Sequence, residues 1–174
     1  MRTHIVFAGI VLFILFSSLS LHAQNKTPVC PCCTEEYRQF DFWVGDWVVY
    51  AKGKMAGFNK ITKIEGDCII RENWKSVESS YIGTSYNFYD KTDNKWKQVW
   101  IDNLGTVLEL KGEFKDNKMI LESEEKTDQN GNRIINRITW YENEDGTVRQ
   151  LWEQSGDGGL AFTTSFDGLY RRRK

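Results

Sequence analysis

From Asp46 onward, apolar and polar residues alternate in short runs broken by turn-forming residues, the period-two pattern of strands with one buried face. The runs lie near residues 46–52, 57–65, 68–75, 81–90, 95–102, 106–113, 118–125, 133–142, 147–154 and 161–171. Between them stand Gly66-Asp67, Asn103-Leu104-Gly105, Asp116-Asn117, Asn143-Glu144-Asp145-Gly146 and similar punctuation. Hairpin-length connections force antiparallel neighbours. About ten consecutive strands without a helical crossover predict an all-β fold, a single up-and-down antiparallel barrel or else a sandwich. No proline follows Pro31, which suits continuous ladders because proline cannot donate to one.

The same alternation assigns faces, since lysine and arginine are rarely buried. Lys95 and Lys97 mark the outside of the fifth run, which turns Trp96, Gln98, Trp100 and Asp102 inward. Arg71 and Lys75 do the same on the third, placing Cys68, Ile70, Glu72 and Trp74 inside. On the ninth, Arg149 and Glu153 leave Val148, Gln150, Trp152 and Gln154 inside. Leu108, Leu110, Met119 and Leu121 turn inward on the sixth and seventh. The fourth and eighth permit either face; Ser85 and Asn87 are read as inward, and so is Arg137.

The predicted interior is therefore mixed. Glu72, Trp74, Asn87, Gln98, Trp100, Arg137, Gln150 and Trp152 form the candidate ligand-binding set. A buried polar group without a partner costs about 1–3 kcal/mol, so these side chains need a ligand, water or one another. One reading is a ligand pocket lined by aromatics with a few placed polar groups. The other is a satisfied network around Glu72 and Arg137 that fixes barrel register. Glu72 is also the candidate general acid or base, its pKa raised by desolvation, although no Ser-His, Cys-His or paired-carboxylate arrangement accompanies it.

The N-terminus adds a compartment. Arg2 and His4 precede an apolar run from Ile5 to Phe16, followed by a polar stretch ending in Leu21-His22-Ala23, which reads as a secretory signal peptide over residues 1–23. The run is short for a membrane span, which needs about 20 residues. An uncleaved anchor is the alternative, since Leu21 is bulkier than the small residue usual before a cleavage site. Residues 24–33 are a Cys/Pro-containing lead-in, and 34–174 form the domain. Cleavage takes away Arg2 and no acid, leaving 22 basic against 24 acidic residues and no basic field for nucleic acid. It also removes both histidines, His4 and His22, and with them every His-based mechanism.

Four cysteines remain: Cys30, Cys32, Cys33 and Cys68. In an exported chain, where disulfides persist, one member of the Cys-Pro-Cys-Cys cluster is expected to bond to Cys68 and staple the lead-in to the domain. A redox pair at the start of a helix over Thr34 to Phe40 is a second reading, and a Cys/carboxylate metal site a third. No metal site or cofactor is assigned.

One stretch is denser in rings than any other: Gln39-Phe40-Asp41-Phe42-Trp43-Val44-Gly45-Asp46-Trp47-Val48-Val49-Tyr50. Together with Gly66-Asp67-Cys68-Ile69-Ile70-Arg71-Glu72-Asn73-Trp74, Gly83-Thr84-Ser85-Tyr86-Asn87-Phe88-Tyr89-Asp90, Trp96-Lys97-Gln98-Val99-Trp100-Ile101-Asp102, Arg137-Ile138-Thr139-Trp140, Gln150-Leu151-Trp152-Glu153-Gln154-Ser155 and Phe166-Asp167-Gly168-Leu169-Tyr170, it resembles a family of uncharacterised secreted bacterial proteins with a lipocalin-like, calycin-type barrel. The resemblance covers almost the whole domain and implies a fold rather than an activity. Fatty-acid-binding proteins and nitrobindins are more distantly similar. Nitrobindins hold haem through a histidine, and His-ligated haem is excluded here if the signal peptide is removed. Phe162 stands where this family suggests a tryptophan.

The resemblance also implies that Trp47 plugs one end of the barrel beneath a basic side chain, Arg137 or Arg171. Gly45 would permit a tight chain entrance, and Phe40, Phe42 and Trp43 would seal a short N-terminal helix onto the floor. The expected function is a periplasmic or extracellular protein holding a small hydrophobic or amphipathic molecule. The alternatives are an enzyme acting on a small exported metabolite through Glu72, and a non-catalytic interaction module.

Overall fold

The computed structural model describes residues 30–174. The signal peptide predicted over 1–23 and most of the 24–33 lead-in lie outside the described residues. Two three-residue 3₁₀ turns, Glu36–Arg38 and Asp41–Trp43, precede the strands. These are β1 (Gly45–Ala51), β2 (Lys54–Ile64), β3 (Ile69–Ser76), β4 (Ile82–Asp90), β5 (Lys95–Asp102), β6 (Val107–Lys115), β7 (Lys118–Glu122), β8 (Lys126–Thr127), β9 (Arg133–Glu142), β10 (Val148–Ser155) and β11 (Thr163–Arg172).

All the pairings among these strands are antiparallel. β1 to β7 follow one another, β7 pairs with β9, β9 with β10, β10 with β11, and β11 returns to β1. Ten strands thus close a barrel, and closure leaves no unpaired edge. β8 pairs only with the start of β9 and stands at the rim.

Most predicted strand boundaries fall within two or three residues of the observed ones. Two differ in kind. β2 starts at Lys54 because Lys52 and Gly53 both take positive φ, at 49° and 75°, and make a two-residue hairpin turn that carries no Asn-Gly or Asp-Gly signature. The register slips by one residue opposite Val49 and Tyr50, which absorbs Ala56 as a bulge.

The short N-terminal helix expected over Thr34 to Phe40 takes the form of the two 3₁₀ turns and runs on to Trp43. Tyr37, Phe40 and Trp43 recur every third residue and are all buried. That is the repeat of a 3₁₀ helix, which stacks residues i and i+3 on one face.

Trp47 is the register partner of Arg172 at the β1–β11 seam, so the N-terminal turns, the start of β1 and the end of β11 lie at one end of the barrel. The connections after Ala51, Ser76, Asp102, Glu122 and Ser155 lie at the other.

Candidate functional site

The closed end is an aromatic plug. Phe40 stacks on Trp43 at a centroid distance of 4.9 Å and meets the edges of Trp96 and Trp140 at 5.6 and 5.2 Å. Phe42 is partly buried against this cluster. Trp47 donates its indole N–H to Trp43 O at 2.8 Å, tying the first strand to the preceding turn. The Arg172 guanidinium lies 3.9 Å from the centre of the Trp47 ring and donates to Val44 O at 2.7 Å. A methyl on Gly45 would fall 1.8 Å from Arg172 Nη1, so Gly45 is the position that lets this arginine lie across the end.

The basic residue over Trp47 is therefore neither Arg137 nor Arg171. β11 alternates, and Tyr170 and Arg172 share the inward side, whereas Arg171 turns out over Tyr50.

Above the plug, β2, β3, β4, β5, β10 and β11 contribute a polar layer. Glu72 Oε1 accepts from Asn59 Nδ2 at 2.6 Å, and Oε2 accepts from Ser85 Oγ at 2.6 Å. Asn87 donates to Ser85 Oγ at 2.9 Å and to Ile70 O at 3.1 Å, and Gln98 Nε2 donates to Asn87 Oδ1 at 2.7 Å. Tyr170 OH donates to Gln150 Oε1 and accepts from Asn59 Nδ2. Asn59 Oδ1 is buried without a partner.

Burial pushes the Glu72 carboxyl above the ordinary carboxylate range, and the hydrogen bonds from Ser85 and Asn59 pull part of the way back. Burial likewise raises the Tyr170 phenol well above its ordinary value, with the Glu72 charge adding to the effect and the hydrogen bond from Asn59 opposing it.

Over this layer lies a chamber of about 320 Å³, open toward the other end of the barrel. Glu72, Gln98, Gln150 and Tyr170 line it, and Trp74, Trp100, Leu108, Ile138, Trp152 and Phe166 supply its apolar walls. Three glycines make room for its rings. A Cβ on Gly57 would meet Trp74 at 2.6 Å, one on Gly83 would meet Trp100 at 2.1 Å, and one on Gly168 would meet Phe166 at 2.4 Å. Each ring rests on bare backbone, which leaves the middle of the barrel unfilled.

At the mouth, Asp102 Oδ2 accepts from Tyr81 OH at 2.9 Å and from Trp100 Nε1 at 3.4 Å, while Oδ1 accepts from the backbone N–H groups of Leu104 and Thr106. Desolvation alone would raise the Asp102 carboxyl. The Thr106 amide, the Tyr81 hydroxyl and the Leu104 amide outweigh it and hold Asp102 at about 2. Desolvation first, then the hydrogen bond and charge of Asp102, push the Tyr81 phenol up to about 12. Trp152 Nε1 donates to Asn136 Oδ1 at 2.9 Å on the opposite wall.

Of the eight sequence-derived ligand candidates, Glu72, Trp74, Gln98, Trp100, Gln150 and Trp152 line the chamber, and Asn87 sits in the polar layer with its side chain buried. Arg137 does not. It pairs through Nε with Glu122 Oε1 at 2.5 Å and lies 3.9 Å from the Phe162 ring centre. The register pairs Trp152 with Ile138 and Gln150 with Trp140, so Asn136, Ile138 and Trp140 form the inner face of β9 and Arg137 the outer one. Arg137 thus belongs neither to the Glu72 network nor to the chamber.

Tyr81, Phe166, Tyr170 and Asn59 went unassigned. Asp167 and Arg171 mark the outside of β11 and Lys60 that of β2, so outward charges point to three of these four. Tyr81 opens the run predicted over 81–90 and shares its parity with Ser85 and Asn87, so the alternation that turns those two inward reaches it as well, although β4 itself starts at Ile82.

Cys32 bonds to Cys68 and Cys30 to Cys33, so all four thiols are oxidised. The staple to Cys68 is as expected. Among the described residues, no three His, Cys, Asp or Glu side chains gather as a metal site, and no helix is long and apolar enough to cross a membrane.

The fold and chamber together define a closed ten-strand β-barrel of the kind that can enclose a small molecule. No protein-family model matches the chain, and no curated protein is similar enough to be matched to it.

Proposed function

We propose that this is an exported binding protein that holds a small, largely apolar molecule inside its barrel. The observation that carries the reading is the chamber of about 320 Å³, walled by Trp74, Trp100, Trp152 and Phe166 over a base of Glu72, Gln98 and Gln150. A concave, mostly apolar pocket with a few convergent polar groups is the usual form of a small-molecule site. A dry cavity of about 150 Å³ accepts benzene, so the size suits a molecule of one or two rings. The N-terminal apolar run and two disulfides support export, and kinship with the lipocalin-like family that the Phe40–Trp47 motif resembles belongs to the same proposal.

Native mass spectrometry of gently purified protein, with tryptophan-fluorescence titration against lipids, aromatic acids and sterol-like compounds, tests the reading. Saturable binding is expected, weakened about tenfold by Trp100→Ala. Absence of any adduct and of any fluorescence response across the panel overturns it.

One observation favours an enzyme acting through Glu72: its raised carboxyl faces the chamber. That reading predicts turnover abolished by Glu72→Gln with the melting temperature nearly unchanged. Both Glu72 oxygens already accept hydrogen bonds from the barrel wall, which favours a structural role for them in the empty protein.

A further inference from the structure

We propose that the chamber is selective for an organic cation, an ammonium on an aromatic or alicyclic body, with the charged head over Glu72 and the body among the indoles. This rests on the binding reading above and names the chemistry of its ligand.

The first argument is a census of charge. The ionisable groups lining the chamber are Glu72, Glu78 at the rim, and the phenols of Tyr81 and Tyr170. Among the described residues, no lysine or arginine lines it. Lys126 is on the outer mouth, beyond Trp100 and Trp152. Arg137, the one cation that the sequence placed inside, is outside. A ligand carrying a carboxylate or phosphate would enter a site with no positive charge and one buried acid.

The second argument is the condition of that acid. Glu72 is 4% exposed, and among the described residues it is held by the neutral donors Asn59 and Ser85 and enters no ion pair. Burying a carboxylate without a counter-charge is costly, and that cost raises the Glu72 carboxyl above its ordinary range. An ammonium ion supplies the missing charge. Gln98 gives its N–H groups to Asn87 and Ser85, which leaves its Oε1 without a partner among the described residues as a second acceptor beside the head.

The third argument is the wall. Indole faces attract cations within about 6 Å of the ring centre, more strongly when the pair is desolvated. Trp74 and Trp100 lie on Gly57 and Gly83, and Trp152 lines the opposite wall, so three indoles surround the space over Glu72. Across the groups packed around Glu72, on β2, β4, β5 and β11, Tyr170 is the titratable side chain, and it stays neutral through the acid and neutral range.

Three probes of matched size decide the question: 2-phenylethylammonium, 2-phenylethanol and phenylacetate, titrated into the full disulfide-bonded protein by calorimetry and tryptophan fluorescence. At pH 7 the ammonium is expected to bind at least about tenfold more tightly than the alcohol, with the anion weakest. Glu72→Gln should bring the ammonium down to the level of the alcohol. In the unmodified protein the ammonium preference should shrink between pH 7 and pH 4, because the probe stays charged while Glu72 takes up its proton. That arm stands even if the variant does not fold. Equal binding of ammonium and alcohol at pH 7, or a preference unchanged at pH 4, overturns the cation proposal and leaves the binding reading intact. If none of the three probes binds, the cation proposal falls, and the wider panel of lipids, aromatic acids and sterol-like compounds decides the binding reading separately.

Discussion

Glu72 concentrates the physical tension of the molecule in one side chain. In the folded protein its carboxyl is raised by burial, and in the unfolded chain it returns to its ordinary value of 4.5. A raised carboxyl contributes stability that is fully present below the unfolded value and is lost as pH rises through the folded one. Glu72→Gln removes that dependence. Its amide can keep the hydrogen bonds, because Asn59 Oδ1 lacks a partner and can accept from the new N–H once the Asn59 amide turns over. The expected result is a melting temperature for Glu72→Gln that gains on the parent as pH rises from 4 to 8; a constant difference would mean that Glu72 does not titrate in the fold. Gly83 makes the same point sterically. Gly83→Ala puts a methyl 2.1 Å from Trp100 and must push the ring into the chamber, at about 1–3 kcal/mol by overpacking. Chemical denaturation should show that loss, and ligand affinity should fall with it.

At the scale of elements, two short features near the N-terminus do different work. The Cys32–Cys68 bond spans 36 positions and ties the lead-in to the turn before β3, whereas Cys30–Cys33 spans 3. By loop-closure entropy the first is worth about 4 kcal/mol and the second about 2. Replacing Cys32 and Cys68 together by serine should therefore lower the denaturation midpoint more than replacing Cys30 and Cys33. The 3₁₀ turns are held by burial of Tyr37, Phe40 and Trp43 rather than by caps, since neither turn has a side-chain cap hydrogen bond. Their function is to carry rings to the barrel floor, and the three-residue spacing of those rings was already present in the sequence. A three-residue repeat fits three residues per turn better than 3.6, so the short N-terminal helix takes the 3₁₀ form.

For the whole molecule, the decisive contact is the seam where β11 closes against β1, with Trp47 opposite Arg172 and Val49 opposite Tyr170. Tyr170 belongs to the polar layer and Arg172 caps the plug, so the last strand completes two layers as well as the ring of strands. Removing Leu169–Lys174 should abolish cooperative thermal unfolding followed by circular dichroism. A truncated chain that still melted cooperatively would show that the other strands hold the barrel alone. Above this seam the chamber persists because rings rest on glycine backbone while the plug below is filled. One end is filled and the other is open.

The amino-acid pattern by itself determined the ten barrel strands, their antiparallel order and the inward direction of Glu72, Trp74, Gln98, Trp100, Gln150 and Trp152, though not the short β8 at the rim. Alternation has a period of two, and a lysine or arginine on one face settles the other. It failed at Arg137, where Ile135, Arg137 and Thr139 alternate with Asn136, Ile138 and Trp140 and neither face is clearly polar. Only pairing with β7 and β10, which sets Arg137 opposite Glu122 and Glu153, decided that side. Tertiary structure alone also decided which arginine covers Trp47, how the four cysteines divide into two bridges, and that the interior holds both a hydrogen-bonded polar layer and an open chamber. These depend on which strands become neighbours and on where a glycine on one strand lets a ring from the next lie flat. A single strand's periodicity carries no record of either.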